Sequence, residues 1–301
     1  MVSMRVAVID VGSNTARLLV ATVTAQGAVV PVAEERDYLR LGAEIERTGT
    51  LGSRTIVAAA ESCAGFARRA AELDVERATV IVTAPGRQGA SGPALAAAVA
   101  DATGLPARVL TAGDEGRLAY DGAVARASGT LPEVVAVVDV GGGSTEIVVG
   151  TPLLGAAWIQ SADLGSLRLT RAHLGDDPPT RAQIEAAVAA VAGVLADMRP
   201  PAPDIALAVG GSARALTKIV GRRFDADDLD RAVKILSRRP AAKAARPFGI
   251  DAERAETLLA GALLLAGTSR VLGTAFQLGR GGLREGAALE LAAAREEARA
   301  A

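Results

Sequence analysis

The sequence predicts an α/β protein of two domains that share a duplicated topology. Three observations lead there. At 301 residues the chain is long enough for two separate cores. In each half a run of strands comes first and helices then alternate with strands. And two short stretches read alike: Val6-Ala-Val-Ile-Asp-Val-Gly-Ser-Asn-Thr15 and Val137-Val-Asp-Val-Gly-Gly-Gly-Ser-Thr145. Each is an apolar run closed by an Asp, a Gly/Ser/Thr turn and a second apolar run, the pattern of two strands joined by a tight turn.

The elements follow in order. The first half reads as strands at Arg5–Val11, Arg17–Thr24 and Ala28–Glu34, with Gln26-Gly27 as the hairpin turn. A helical apolar period covers Ser53–Leu73. Short strands at Thr79–Thr83 and Pro106–Thr111 flank a helix near Gly92–Ala102, and Asp114–Val124 is helical. The Ser-Gly-Thr-Leu-Pro link at Ala127–Pro132 separates a first domain, 1–126, from a second, 132–301. There Val134–Val140, Glu146–Gly150 and Ala156–Ser161 are strands, and an Ala-rich helix runs from Thr180 to Met198. Strand Asp204–Val209 and helix Ala213–Ile219 follow. After Arg222 the pattern is helical throughout: Ala226–Ser237, Asp251–Val271 and a last helix from Arg284. Pro200–Pro203 and Arg239–Pro247 read as loops.

Composition narrows the function classes. With 33 basic and 34 acidic residues there is no net charge to draw nucleic acid or an anionic membrane, so a polyanion site would need a local concentration of Arg. Only 2% of residues are aromatic, so the core rests on Ala, Val, Leu and Ile. The single Cys63 cannot form an intramolecular disulfide, which fits a reducing cytosol, and it reads as a small core residue. Strand-like sequence begins at Val6 with no apolar leader before it. The most apolar stretch, Thr257–Gly267, lies between Glu256 and Arg270 and is short of the roughly 20 residues that span a bilayer. A buried helix in a cytoplasmic protein is the expectation.

The two turns carry the chemistry. Gly12, Ser13 and Asn14 on one side, with Gly141, Gly142, Gly143, Ser144 and Thr145 on the other, would donate N–H and O–H groups to phosphate oxygens. A simple hairpin would not need three glycines. Asp10 and Asp139 stand at the strand ends beside them; taken singly, each reads equally as a turn-opening Asp. Gly210, Gly211 and Ser212 occupy a strand-to-helix turn where further phosphate groups could rest, and Arg214 either contacts them or faces solvent. Arg87 is either a clamp on a phosphate oxygen or a solvated loop arginine. Asp114 and Glu115, read alone, are acidic residues favoured at a helix N-terminus, and Glu146 an outward-facing strand residue. His173 has no second His or Cys to make a zinc site.

These paired turns, with Val209-Gly-Gly-Ser-Ala-Arg214, resemble the phosphate motifs of the actin/Hsp70/sugar-kinase superfamily. Within it the match is to the exopolyphosphatase/guanosine pentaphosphate phosphohydrolase (Ppx/GppA) family. Arg40-Leu-Gly42 with Thr48-Gly49, Thr111-Ala-Gly-Asp-Glu-Gly-Arg-Leu118, Ser161-Ala-Asp-Leu-Gly-Ser-Leu-Arg-Leu-Thr170 and Leu283-Arg-Glu-Gly286 fit that family and not its kinase or chaperone cousins. The resemblance runs from about Val6 to Gly286. It implies two actin-like (ribonuclease H-like) domains flanking an inter-domain cleft, with Mg²⁺ held by Asp10 and Asp139, mostly through water. It also implies Glu115 as the group that orients or deprotonates the attacking water, and Glu146 as a metal or water ligand. Longer relatives append a histidine-rich HD-type domain, which this chain is expected to lack; dimers are common among relatives.

The chain departs from many relatives at Thr83-Ala-Pro-Gly-Arg-Gln-Gly-Ala-Ser91, which keeps Arg87 but loses a hydroxyl and an Asn. Pro85-Gly86 there gives the expected loop a different shape. Leu278-Gly-Arg-Gly-Gly282 likewise replaces polar residues. The leading expectation is an Mg²⁺-dependent exopolyphosphatase. Guanosine pentaphosphate hydrolysis is the variant, disfavoured by the shortage of aromatic side chains for a base. A non-catalytic polyphosphate or alarmone sensor, and an ATP-dependent kinase, are the competing classes.

Overall fold

A computed structural model describes residues 3–300, and for 295–300 the helical backbone only. The chain divides into two compact units. One comprises the residues up to Arg126 together with those from Gly281 onward; the other is Ala127–Arg280.

The first unit opens with β1 (Met4–Val11), β2 (Thr15–Val23), β3 (Val29–Tyr38), α1 (Leu41–Thr48) and α2 (Ser53–Glu72). It continues with β4 (Arg77–Val82), α3 (Ala84–Gln88), α4 (Gly92–Thr103), β5 (Ala107–Val109) and α5 (Ala112–Ala125). The strands form one sheet in the order β3-β2-β1-β4-β5, antiparallel across the first three and parallel from β1 through β4 to β5. β1 is apolar along nearly its whole length because both of its faces are covered. Ala7, Ile9 and Val11 enter a core that also holds Phe66 of α2 and Leu95 of α4. Met4, Val6 and Val8 point the other way.

The second unit repeats the plan. It contains β6 (Val135–Val140), β7 (Thr145–Thr151), β8 (Gly155–Ala162), α6 (Ser166–His173), α7 (Arg181–Leu195), β9 (Ile205–Val209) and α8 (Gly210–Val220). Then come β10 (Arg223–Phe224), α9 (Ala226–Leu236), α10 (Ala241–Ala245), α11 (Ala252–Ala255), α12 (Leu258–Leu272) and β11 (Phe276–Leu278). The sheet order β8-β7-β6-β9-β11-β10 repeats the first sheet, strand for strand, with β10 added at the edge. Again the first three strands are antiparallel, and β9 and β11 run parallel to β6. α12 is buried on nearly every side, which accounts for the apolar stretch at Thr257–Gly267. Among the described residues no helix is long and apolar enough to cross a membrane.

The last helix, α13 (Leu283–Ala300), belongs to the first unit. Leu283, Ala287, Ala288 and Ala292 join Leu110 and Leu118 in the core that holds Met4, Val6 and Val8 on the other face of β1. The second domain expected at 132–301 therefore ends at Arg280, and the first takes up the chain's final segment. Other expectations also needed correction. β10 and β11 lie where only helices were expected, because two- and three-residue strands carry no readable period. The helix expected over Asp251–Val271 is two, α11 and α12, parted at Glu256-Thr257. α1, α3 and α6 fall in stretches that had no helix assigned, and α10 in an expected loop.

Candidate functional site

Both hairpin turns are closed by the same hydrogen bond. Gly12 N–H donates to the Thr15 carbonyl and Gly141 N–H to the Ser144 carbonyl, each at 3.0 Å. Each turn is then held by the helix that follows the third strand of its sheet. In the second unit Ser166 N–H reaches the Gly141 carbonyl at 2.9 Å, and Leu167 and Arg168 N–H reach the Gly142 carbonyl at 2.9 and 3.2 Å. The otherwise unpaired first amides of α6 thus capture the turn's carbonyls. Since C=O and N–H of a trans peptide point in opposite directions, the amides of Gly142 and Gly143 are turned away from α6. The first unit does the same with α1: Gly42 N–H meets the Ser13 carbonyl at 2.7 Å, and Leu39 and Arg40 N–H both meet the Asn14 carbonyl at 3.0 Å. Arg40 adopts a left-handed backbone (φ 54°) to bring this about. Gly165 is needed for close approach, because a Cβ there would collide with the Gly142 carbonyl group.

In the first unit the candidate residues gather at the C-terminal ends of β1, β4 and β5, where open α/β sheets bind ligands. Asp10 is the penultimate residue of β1. Its Oδ1 is shielded from solvent and has no hydrogen-bond partner. Burial pushes its carboxyl above the usual carboxylate range, opposed by the charges of Arg284 and Arg17 and assisted by that of Glu285. Ser13 is buried and its hydroxyl also lacks a partner. Thr83 N–H donates to Val11 at 3.1 Å and so starts α3 beside this turn. Arg87 of α3 is half-buried and held by protein acceptors. Its Nη1 donates to the Leu110 carbonyl and to Glu115 Oε2, both at 2.8 Å. Glu115 lies in the first turns of α5, only 7% exposed. The Thr111 side chain caps that helix by accepting from Asp114 N–H at 3.0 Å.

In the second unit Asp139 stands opposite Glu146 in the β6–β7 register and beside Val209 of β9. Gly210 has φ +82°, and a Cβ on it would lie 2.5 Å from Asp139 Oδ1, so backbone and carboxylate share a space only glycine leaves. Gly210 and Gly211 form the first turn of α8 and do not precede it. Glu146 is buried rather than outward-facing, and its Oε1 accepts from the Ser161 hydroxyl at 2.9 Å. The Thr145 hydroxyl is directed to the Leu164 carbonyl at 2.8 Å. Ser144 is buried, and Ser212 is buried with an unpartnered hydroxyl.

Two contributors went unrecognised in the sequence. The Arg254 guanidinium lies against Gly211, within 2.7 Å of where a Cβ would project. Arg284 is nearly buried, donating to the Leu18 carbonyl at 3.1 Å and to Glu34 at 3.3 Å, and its charge acts on Asp10. The Leu283–Gly286 motif was a signal for the second; nothing local marked the first. Among the described residues no group of three or more His, Cys, Asp or Glu is arranged to cage a metal ion. A cavity of about 720 Å³ between α7, α9 and α12 has a mainly aliphatic lining that includes none of these residues.

Two sheets of matching order, each with an Asp and a glycine turn at the end of its first strand, define a duplicated α/β fold. A sequence profile of the Ppx/GppA phosphatase family matches residues 19–294, and the chain belongs to that family. Exopolyphosphatase 2 of Mycobacterium tuberculosis is 36% identical over 191 residues, 61% of this chain and 59% of that one, so the match spans under two thirds of that relative. Exopolyphosphatase 1 of the same organism is 29% identical over 300 residues, covering 94% and 87%. The crystal structure of the Aquifex aeolicus family member superposes with a TM-score of 0.81 at 25% identity, covering 97% of this chain and 99% of that one.

Proposed function

We propose that this protein is a phosphoric anhydride hydrolase that releases orthophosphate from the end of inorganic polyphosphate, with Glu115 as the general base. The observation that carries the reading is Glu115 itself: a nearly buried carboxylate, oriented by Arg87, on the helix that follows the third parallel strand. Glu115 takes a proton from water as its oxygen bonds to the terminal phosphorus, and the bridging P–O bond breaks to free the shortened chain. The backbone amides of the Ser13-Asn14 and Gly142-Gly143 turns and the Gly210–Ser212 helix start hold phosphate oxygens. The names of the mycobacterial relatives, exopolyphosphatases both, support the substrate class.

Asp10 and Asp139 would hold Mg²⁺. The shielded, unpartnered Oδ1 of Asp10 suits a cation, and Mg²⁺ takes one or two carboxylates together with waters and phosphate oxygens. When bound, the ion neutralises charge on the phosphates.

The test is phosphate release from polyphosphate, guanosine pentaphosphate and ATP with Mg²⁺, by the full chain and by Glu115→Gln. Release from polyphosphate that the variant loses supports the proposal. Equal release by the variant overturns Glu115 as the base. Preference for the guanosine substrate, binding without release, or transfer to an acceptor each replaces the proposed function with another.

A further inference from the structure

The near-neutral chain hides a strong local asymmetry. Between residues 214 and 246 there are ten Lys and Arg against four Asp, although the protein as a whole carries a net charge of −1. Part of this excess is ordered along one line that starts at the glycine turn. Gly211, Arg214 and Lys218 are spaced i, i+3, i+7 on α8 and share one helix face. Both cations are exposed, the helix has no acidic residue, and its opposite face (Ser212, Ala213, Ala215, Leu216) is buried.

The neighbouring segment runs beside that face. Arg254 lies against Gly211 at one end. At the other, Lys218 Nζ donates to the Gly249 carbonyl at 2.6 Å, and Gly249 N–H donates to the Arg246 carbonyl at 3.0 Å. Lys243 and Arg246 are exposed there, on a stretch, Ala241–Phe248, without an acidic residue. The nearby Asp251 caps α11 through the Arg254 amide at 2.7 Å.

We infer that Lys218, Lys243 and Arg246 form a distal binding track for a long polyphosphate chain, leading away from the Gly210–Ser212 turn. The inference rests on the polyphosphate reading above and adds a basis for chain-length preference. From Gly211 to Lys218 the helix rises about 10 Å, so the track extends well past the first phosphates. Exposed cations bind a polyanion by releasing its counterions and need no shape-specific partner. Nucleic acid is the poorer occupant, because single strands are held by stacking on exposed aromatic rings. Here Phe224 is buried and Phe248 partly so.

The experiment measures Kd for long-chain polyphosphate and for tripolyphosphate, across a salt series, using the full chain and the Lys218→Gln/Lys243→Gln/Arg246→Gln variant. All three side chains are exposed, so folding is preserved, as circular dichroism will verify. The expected result is a long-chain preference that falls about tenfold in the variant, the scale for three screened surface charges. The slope of log Kd against log salt flattens by about two, at roughly 0.7 per lost contact. An unchanged slope and preference, or a wild-type protein that binds both lengths equally, overturns the track. Single-stranded RNA bound as tightly, with the same loss in the variant, overturns polyphosphate as its occupant. Phosphate release is followed alongside: its absence, with length-dependent and charge-sensitive binding intact, overturns the hydrolase reading and supports the track.

Discussion

Arg87 Nη1 lies 2.8 Å from Glu115 Oε2 and also bonds the Leu110 carbonyl. The guanidinium is therefore tied at once to the end of β5 and to the first turns of α5. It fixes the carboxylate by a charge-assisted bond at a site where neither side chain is more than a quarter exposed. Glu115 is thereby kept in one orientation before any ligand arrives.

Replacing Glu115 with Gln keeps the shape and a hydrogen-bonding oxygen but removes the carboxylate proposed as the base. Phosphate release should fall by about 10²–10⁴-fold while polyphosphate binding persists. Single-turnover release and equilibrium binding on the same preparation check this.

Arg87→Ala should lower both stability and turnover, because it leaves Glu115 nearly buried without this partner. The expected loss is about 1–3 kcal/mol by urea unfolding, and Arg87→Lys should recover only part of it, since a tetrahedral ammonium does not reproduce the planar guanidinium geometry from which Nη1 meets both acceptors.

Thr111→Ala removes the cap of α5 and should cost about 1 kcal/mol. Thr111 also donates to Asp114 Oδ2 at 2.6 Å, which holds the Asp114 carboxyl below its usual range. A lower Tm together with reduced turnover would link cap to carboxylate; an unchanged Tm would contradict the cap's energetic role.

Gly210→Ala should impair activity more than its volume suggests. The methyl group would require a left-handed backbone and would meet Asp139 Oδ1. Phosphate release and Mg²⁺ dependence read the displacement, while the neighbouring Ala213→Gly serves as a control on general helix damage.

Cys63 provides a pH test. Burial, aided by the negative charges of Asp10 and Asp37, pushes its thiol up to about 12. A raised folded-state pKa means that the thiol's contribution to stability is complete below its ordinary value of 9.0 and lost as pH climbs through about 12. Alkylation at pH 8 should then proceed only through unfolding, and Cys63→Ala should blunt the loss of stability at alkaline pH. Rapid labelling of native protein would refute this.

Much of the fold was legible because its signals are local and repeated. The runs around Asp10 and Asp139 keep their apolar character on both faces, and the turn that follows each has its glycines. Glu115 and Asp10 were named from motif position; Glu115 is nearly buried, and Asp10 has one carboxylate oxygen shielded from solvent. Other features had no local signal. α1 and α6 are each eight residues long, and what defines them is their capture of the turn carbonyls, a contact between distant segments. Arg254 is 43 residues from Gly211, the motif glycine it touches in space. The pairing of Arg87 with Glu115 spans 28 positions and could not be read from either end. Expected loops such as Thr83–Ser91 became a short helix because Pro85 sits in its first turn, where its missing amide costs nothing.

The return of α13 to β1 has a consequence for biosynthesis. Residues 127–280 are contiguous, whereas the sheet begun by β1 takes part of its covering from a segment translated after them. The first unit is thus completed only once the second has been made, and a premature stop near codon 280 would strip Leu283, Ala287, Ala288 and Ala292 from its core while sparing the other.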